Sequence, residues 1–209
     1  MILVATPYRH NTLRAFLYRC EEVVGAFTYP HLEHVMMEND LAHVRQGGKY
    51  ASNAAARNLL IDIHLQEYHS HVLWLDVDVV QAPPDLVERL LAACEGPEAA
   101  HWTAVAPFVL IEGSEQFYDY GGFTQNGKLF QQWPPYCEGG PVVELDSCGT
   151  CYLVPAWVYR LGCRYAAEEH EVEHLSFFRC AREMGLRVVG LRDVVVRHAN
   201  LPKWGESWH

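Results

Sequence analysis

The chain has 209 residues, half of them hydrophobic, and a formal net charge of −10. That length fills one well-packed core and is short for two, so a single domain over residues 1–209 is expected. The negative balance disfavours broad binding to nucleic-acid phosphates, which needs a basic face, and no apolar run reaches the roughly 18 residues of a membrane span.

MILVATPYRHN has no basic region ahead of a short apolar run, so it reads as a first strand and not as a signal peptide, and the expectation is a cytoplasmic chain. A helix follows over LRAFLYRCEEVVG. In HVRQGGKYASNAAARN, Arg45, Lys49 and Arg57 fall close together and could receive a diphosphate, although Arg45 and Lys49 equally suit a solvated loop. SNAAARNLLIDIHLQEY predicts a second helix capped by Ser52 or Asn53, and HVLWLDVDVV a continuous buried strand. Pro83-Pro84-Asp85 opens a third helix, DLVERLLAAC, with Leu86, Leu90 and Ala93 on one side. TAVAPFVLI and VVELDSCGTCYLVP supply further strands, and LRVVGLRDVVVRH one or two more. Strands alternating with helices imply an α/β sandwich around a largely parallel sheet.

Residues 112–141 break this pattern. The stretch is rich in glycine and aromatics and lacks periodicity, which marks an active-site loop or a small hairpin insertion. The rings of Phe117, Tyr118, Tyr120, Phe123, Trp133 and Tyr136 could stack on sugar faces or pack beneath the loop itself. Seven cysteines at irregular spacing suggest reduced thiols, and Cys148 and Cys151 precede a strand where a redox pair would precede a helix.

Asp76 and Asp78 stand two apart at a strand end, where a period of two sends both side chains to one side of the sheet. Open α/β sheets bind ligands beyond the carboxyl ends of their strands, and a hard cation shared with substrate phosphates would relieve the repulsion of two carboxylates. The ordinary alternative is a capping aspartate beside a solvated one. HEVEH, residues 170–174, matches the zinc-binding H-E-x-x-H pattern with Glu171 as base and His198 as a distant third ligand. Helical spacing, however, places Glu173, His174, Phe177, Ala181 and Met184 on the side that meets the sheet, which makes His174 a neighbour of the core.

VLWLDVDVVQAPPDLVERL resembles the D-x-D segment of GT-A glycosyltransferases, and especially of the fungal Golgi α-mannosyltransferases that extend mannan. ILVATPYRHN, AAARNLLI, LDSCGTCYLVP and EVEHLSFFRCAREMGLRVVGLRDVVVRH resemble further segments of that family, in the family's order, from residue 2 to residue 198. The resemblance implies a Rossmann-like GT-A α/β/α sandwich and transfer of a sugar from a nucleoside-diphosphate donor, GDP-mannose or a UDP-hexose, with Mn2+ or Mg2+ and retention at the anomeric carbon. It implies that Thr6, Pro7, Tyr8 and Arg9 line the nucleotide pocket and that Arg57 reaches the diphosphate. Asp76 would hold the ribose or a metal-bound water, Asp78 the metal, and His198 would complete the ion's protein shell. Asp146 and Gly149 would border the sugar, with Glu173 and Glu171 facing the acceptor. The acceptor is left open: a glycan, lipid, metabolite, protein or modified nucleic-acid base.

Three other readings fit parts of the sequence. A nucleotidyltransferase would use the same D-x-D and metal, a zinc metallopeptidase would use HEVEH, and a sugar-nucleotide-binding module would bind without turnover. The tail ANLPKWGESWH, with Trp204 and Trp208, suits either a lid or a frayed end.

Overall fold

The structure is a computed structural model that describes residues 1–9, 12–39, 48–94, 102–119, 121–129, 140–166 and 172–200. Arg45, Tyr120, Trp133, Tyr136, His170, Glu171, Trp204 and Trp208 lie outside the described residues, as does the side chain of Lys49. Among the described residues no helix is long and apolar enough to cross a membrane.

In chain order the elements are β1 (Ile2–Arg9), α1 (Arg14–Gly25), β2 (Leu32–Asn39), α2 (Gly48–His64), β3 (His71–Leu75), β4 (Val79–Gln81), α3 (Leu86–Cys94) and β5 (Thr103–Ile111). They continue with β6 (Thr124–Gln125), β7 (Lys128–Leu129), β8 (Val142–Glu144), β9 (Cys151–Pro155), α4 (Trp157–Arg160), α5 (Glu173–Glu183) and β10 (Arg187–His198). The main sheet runs β2-β1-β3-β9-β5-β10-β4, with β8 also paired to β10. It is parallel at β1–β2, β1–β3 and β5–β10, and antiparallel where β9 meets β3 and β5 and where β4 and β8 meet β10.

The central strands β1, β3, β5 and β9 are buried on both faces for most of their length, as their apolar runs require. Leu3, Ala5, Val72, Trp74, Tyr152 and Val154 point into one apolar cluster, filled on the helix side by Leu60 and Ile61 of α2 and by Phe177 and Phe178 of α5. Their neighbours in sequence, Ile2, Val4, Leu73, Leu75, Cys151 and Leu153, alternate into a second cluster against Val23 and Val24 of α1 and Leu86 and Leu90 of α3. Two helical layers thus sandwich the sheet, as expected for the fold class.

Local chemistry sets several ends. Helix α5 stops at Gly185, whose φ of 94° only glycine adopts freely. Its amide bonds the Arg182 carbonyl at 2.9 Å while the Leu186 amide bonds that of Ala181 at 3.0 Å, a paired closure that satisfies the last free carbonyls. Asn126 and Gly127, both with positive φ, turn β6 into β7, so part of the 112–141 stretch is a hairpin. Pro7 lies past the last β1–β3 pair, Ala5 with Trp74, where a missing amide costs nothing on that side.

Three expectations change. Residues 71–80 are not one strand: β3 ends at Leu75, and Val79 N–H bonds the Asp76 carbonyl at 3.0 Å across a turn. Strand β2, at the sheet edge and only partly buried, has no clear apolar alternation to announce it. Helix α2 begins at Gly48, and Ser52, expected as its cap, bonds the Asn39 side chain at 3.3 Å instead.

Candidate active site

Strands β1, β3, β5 and β10 all run toward the same rim of the sheet, and the chemistry-bearing side chains collect there, as in open α/β sheets generally. The turn after β3 divides the two aspartates. Asp76 sends Oδ1 to the Arg57 guanidinium at 2.9 Å, and Asp78 sends Oδ2 to His198 Nε2 at 2.9 Å. The period of two therefore does not govern this pair.

His198 closes β10 and is 1% exposed, whereas the Asp78 side chain is 25% exposed and open to a ligand. The Ala199 amide bonds the Asp78 carbonyl at 2.8 Å and fixes the two segments together. His198 Nδ1 faces the Ala199 carbonyl at 2.8 Å, and a carbonyl only accepts, so Nδ1 carries the proton. Nε2 of the neutral ring would then aim a lone pair at a carboxylate oxygen. Burial opposes charge on the ring, but the hydrogen bond and charge of Asp78 outweigh it and raise His198 above its ordinary pKa. A backbone carbonyl holding the far nitrogen is also how metal-ligating histidines are oriented. Among the described residues no three His, Cys, Asp or Glu side chains form a cage for an ion. Two protein ligands fit a cation that takes its remaining oxygens from substrate phosphates and water.

Arg57, on α2, is 4% exposed and joins the Asp76 side of the site to the helix behind it. It pairs with Asp76, lies 3.6 Å from Glu173 Oε1, and covers the Trp74 ring with its guanidinium carbon 4.8 Å from the centroid. Burial raises Asp76 and the Asp78 charge adds to it, while Arg57 opposes both. Burial would also raise Glu173, yet its pKa is lowered, because His174 and Arg57 reverse the effect. Arg57 is the permanent charge of the two. Its Nη2 faces His174 Nε2 at 3.5 Å, and a guanidinium only donates, so Nε2 accepts and Nδ1–H donates to the Tyr152 hydroxyl at 3.2 Å. Burial, with Arg57 beside it, lowers His174 to about 4. Both its nitrogens are engaged inside the protein, so it is the core-side histidine expected and not a zinc ligand.

A carboxylate that the sequence reading passed over completes the site. Asp119 is buried, lies where a side chain on Gly122 or Gly149 would have to be, and has an Oδ2 with no hydrogen-bond partner. Burial and the charge of Asp76 push its pKa to about 8. The backbone beside it is strained: Thr150 has φ 55°, unusual for a β-branched residue, and sits at the centre of a three-residue turn in which Cys151 N–H bonds the Gly149 carbonyl at 2.6 Å. That turn aims the Thr150 carbonyl at the Asp76 amide, 2.8 Å away. Asp119 was hidden among the rings of a segment read for stacking, and its only signal was an isolated acid between Tyr118 and Tyr120.

The remaining expected residues are placed as follows. Gly149 borders Asp119, and Glu173 is 2% exposed, with Oε2 unpartnered. Thr6 is fully buried, its hydroxyl 3.2 Å from His34 Nε2, so it lies beneath the rim. Pro7, Tyr8 and Arg9 are half-buried at the end of β1. Asp146 is not brought to this cluster by its contacts: Oδ2 accepts from the Gly127 amide at 2.7 Å and Oδ1 pairs with Arg182 at 3.0 Å, which pins the hairpin to α5. Cys148 and Cys151 are free and buried, and burial pushes both thiols up, opposite to a redox pair.

Comparison with known proteins bears on the fold and on the family that the sequence resembles. Residues 33–96 match the Anp1 family model. The mannan polymerase II complex anp1 subunit of Schizosaccharomyces pombe is 30% identical over 188 residues, which cover 75% of this chain and 43% of that protein. The ANP1 subunit of the same complex in Saccharomyces cerevisiae is 28% identical over 195 residues, 78% of this chain and 38% of the relative. The chain thus spans less than half the length of these relatives. They overturn the cytoplasmic expectation: they are subunits of mannan polymerase complexes, the kind of assembly to which the D-x-D resemblance pointed, and the eleven residues MILVATPYRHN carry no measure of compartment. Among solved structures, GalNAc-T7 with UDP, GalNAc and Mn2+ has the same fold, with a TM-score of 0.67 at 12% identity over 97% of this chain and 44% of that one. The chain has the GT-A glycosyltransferase fold, and in sequence it resembles the Anp1 family of mannan polymerase subunits.

Proposed function

We propose that the chain acts as one metal-dependent glycosyltransferase domain, moving a hexose from a nucleoside-diphosphate sugar to a hydroxyl acceptor. The observation that supports it most is the facing of His198 Nε2 and Asp78 Oδ2 at 2.9 Å while Nδ1–H is committed to the Ala199 carbonyl. A proton on Nε2 satisfies this pair when the site is empty, and Asp78 and His198 would hold Mn2+ or Mg2+ in its place when a sugar nucleotide brings further oxygens. When bound, the ion would supply Lewis-acid stabilisation of the charge developing on the departing nucleoside diphosphate.

The chain's own residues do the rest. Pro7, Tyr8 and Arg9 border the nucleotide, above the buried Thr6. Arg57 is enclosed, so it acts as a fixed positive charge behind Asp76 and Glu173 and not as a direct diphosphate ligand. Asp76 keeps its other oxygen for the ribose or a cation-bound water. Asp119 and Gly149 bound the sugar pocket. Glu173, held ionised beside Arg57, would orient the acceptor hydroxyl and take its proton once acceptor binding uncovers its buried Oε2. The names of the relatives favour GDP-mannose over UDP-hexoses as donor and a glycan over a nucleic-acid base as acceptor.

Thermal unfolding with GDP-mannose and a series of UDP-hexoses, each with and without Mn2+, tests the reading. A ligand at a hundred times its Kd adds about 2.7 kcal/mol to stability. The expected result is stabilisation that requires both sugar nucleotide and cation and vanishes in Asp78→Ala. Stabilisation that persists in that variant, or none with any donor, defeats the reading. Product analysis separates transfer from nucleotidyl chemistry, since a sugar phosphate with a nucleoside triphosphate would then yield the sugar nucleotide.

A further inference from the structure

The Tyr118 ring lies flat on the His198 imidazole, with centroids 3.5 Å apart and planes 12° from parallel. We propose that Tyr118 is a positioning residue that fixes the plane of His198, and hence the direction of Nε2, for the cation site; this rests on the metal reading above.

The torsion that turns an imidazole about its Cβ–Cγ bond is broad, and two edge contacts at 2.8 and 2.9 Å narrow it without gripping the face of the ring. A ring stacked on its face removes the remaining freedom and leaves the edges available to Ala199 and Asp78. Tyr118 is itself held by its neighbours. Its amide bonds the Val109 carbonyl at 2.8 Å, and Phe117 bridges Leu110, so the pair rides along β5 as an added strand segment. The Glu112 amide in turn bonds the His198 carbonyl at 2.8 Å, which ties β5 to the same residue from its backbone.

Side-chain alternation then divides the tripeptide 117–119. Phe117 is locked in the core edge-on to Phe108 and Phe123, at 5.4 and 5.2 Å. Tyr118 packs on the opposite cluster and on His198. Asp119 returns to the first side, against Gly122 and Gly149. One short segment therefore sets both the ring above the cation ligand and the carboxylate in the sugar pocket.

The test measures Mn2+ affinity of the full chain by electron paramagnetic resonance of free Mn2+ at fixed GDP, and His198 ring signals by NMR without metal. Tyr118→Phe keeps the stack and should bind Mn2+ within about twofold of wild type. Tyr118→Ala should bind about 10- to 100-fold more weakly, the range for loss of a group that orients a metal ligand, and should broaden or shift the His198 signals. Tyr118→Leu fills the space without a flat face and serves if the alanine variant fails to fold. Equal Mn2+ affinity and unchanged His198 signals in the alanine or leucine variant overturn the proposal. Wild-type protein that takes up no Mn2+ overturns the metal reading instead, and the metal-free NMR comparison still decides whether Tyr118 holds the ring.

Discussion

The molecule contains two histidine–carboxylate pairs on the same rim, and they behave in opposite ways. Asp78 and His198 meet at 2.9 Å, with His198 raised above its ordinary pKa; Glu173 and His174 stand at 3.7 Å, with His174 lowered to about 4. Both join a carboxylate to an imidazole, so the surroundings decide: burial first, and then the third neighbour. Arg57 already balances Glu173 and faces the His174 ring, which leaves no use for a second positive charge. Beside Asp78 and His198 stands a carbonyl and a partly open face, which invites one. The pair next to Arg57 is complete in itself, and the other is where the proposed cation would be held.

The sharpest way to break this contrast is to remove the open pair. Asp78→Ala should cut cation-dependent sugar transfer at least about a hundredfold, measured as released nucleoside diphosphate, with little change in folding; His198→Ala should cut it as far and also destabilise, because it empties a buried, stacked position. Arg57→Met attacks the closed pair instead. It strands Asp76 and Glu173 without their cation and should cost about 3–5 kcal/mol in denaturant unfolding, the range for breaking a buried ion pair.

Acidification probes the same pair more gently. Unfolded histidine titrates near its ordinary value of 6.5 and folded His174 near 4, so between these the unfolded state holds more protons. His174 therefore favours folding fully above pH 6.5 and loses roughly 3 kcal/mol of that advantage by pH 4. Asp119, raised to about 8, has the opposite sign, since it favours folding most at low pH and loses that contribution as pH rises toward 8. The slope difference between wild type and His174→Gln over pH 4–7 isolates the histidine; identical slopes would mean His174 is not held neutral. The smallest effect belongs to Asp146, half out of the rim and paired with an exposed Arg182. Asp146→Ala should change stability by no more than about 1 kcal/mol and leave Mn2+ affinity as it is.

Much of the layering was legible because buried strands and amphipathic helices carry their periods openly. Residues 103–111 and 173–184 show the two kinds of signal, and both formed where the pattern placed them. Strand direction was not legible. CYLVP is apolar at every position, and such a run looks the same whichever way it enters a sheet, so the antiparallel course of β9 had no mark. Asp76 and Asp78 show a second limit, since a two-residue period holds only while the strand lasts, and LWLDVDVV carries no glycine or proline to announce its turn. Arg57 was recognisable as a cation near the site, but its enclosure by Trp74, Tyr165 and Glu173 depends on contacts made far along the chain.

Strand β9 also shapes what can change. Because it runs against β3 and β5, the chain leaves β5 after Ile111 and enters β9 at Cys151 on one and the same rim. Between them it touches the sheet once more, where β8 pairs with β10. Substitution within the β6–β7 hairpin would therefore reshape this rim while β3, β5 and β9 kept their pairing, whereas a cut into Val142–Glu144 would unpair β10 along Val189–Leu191.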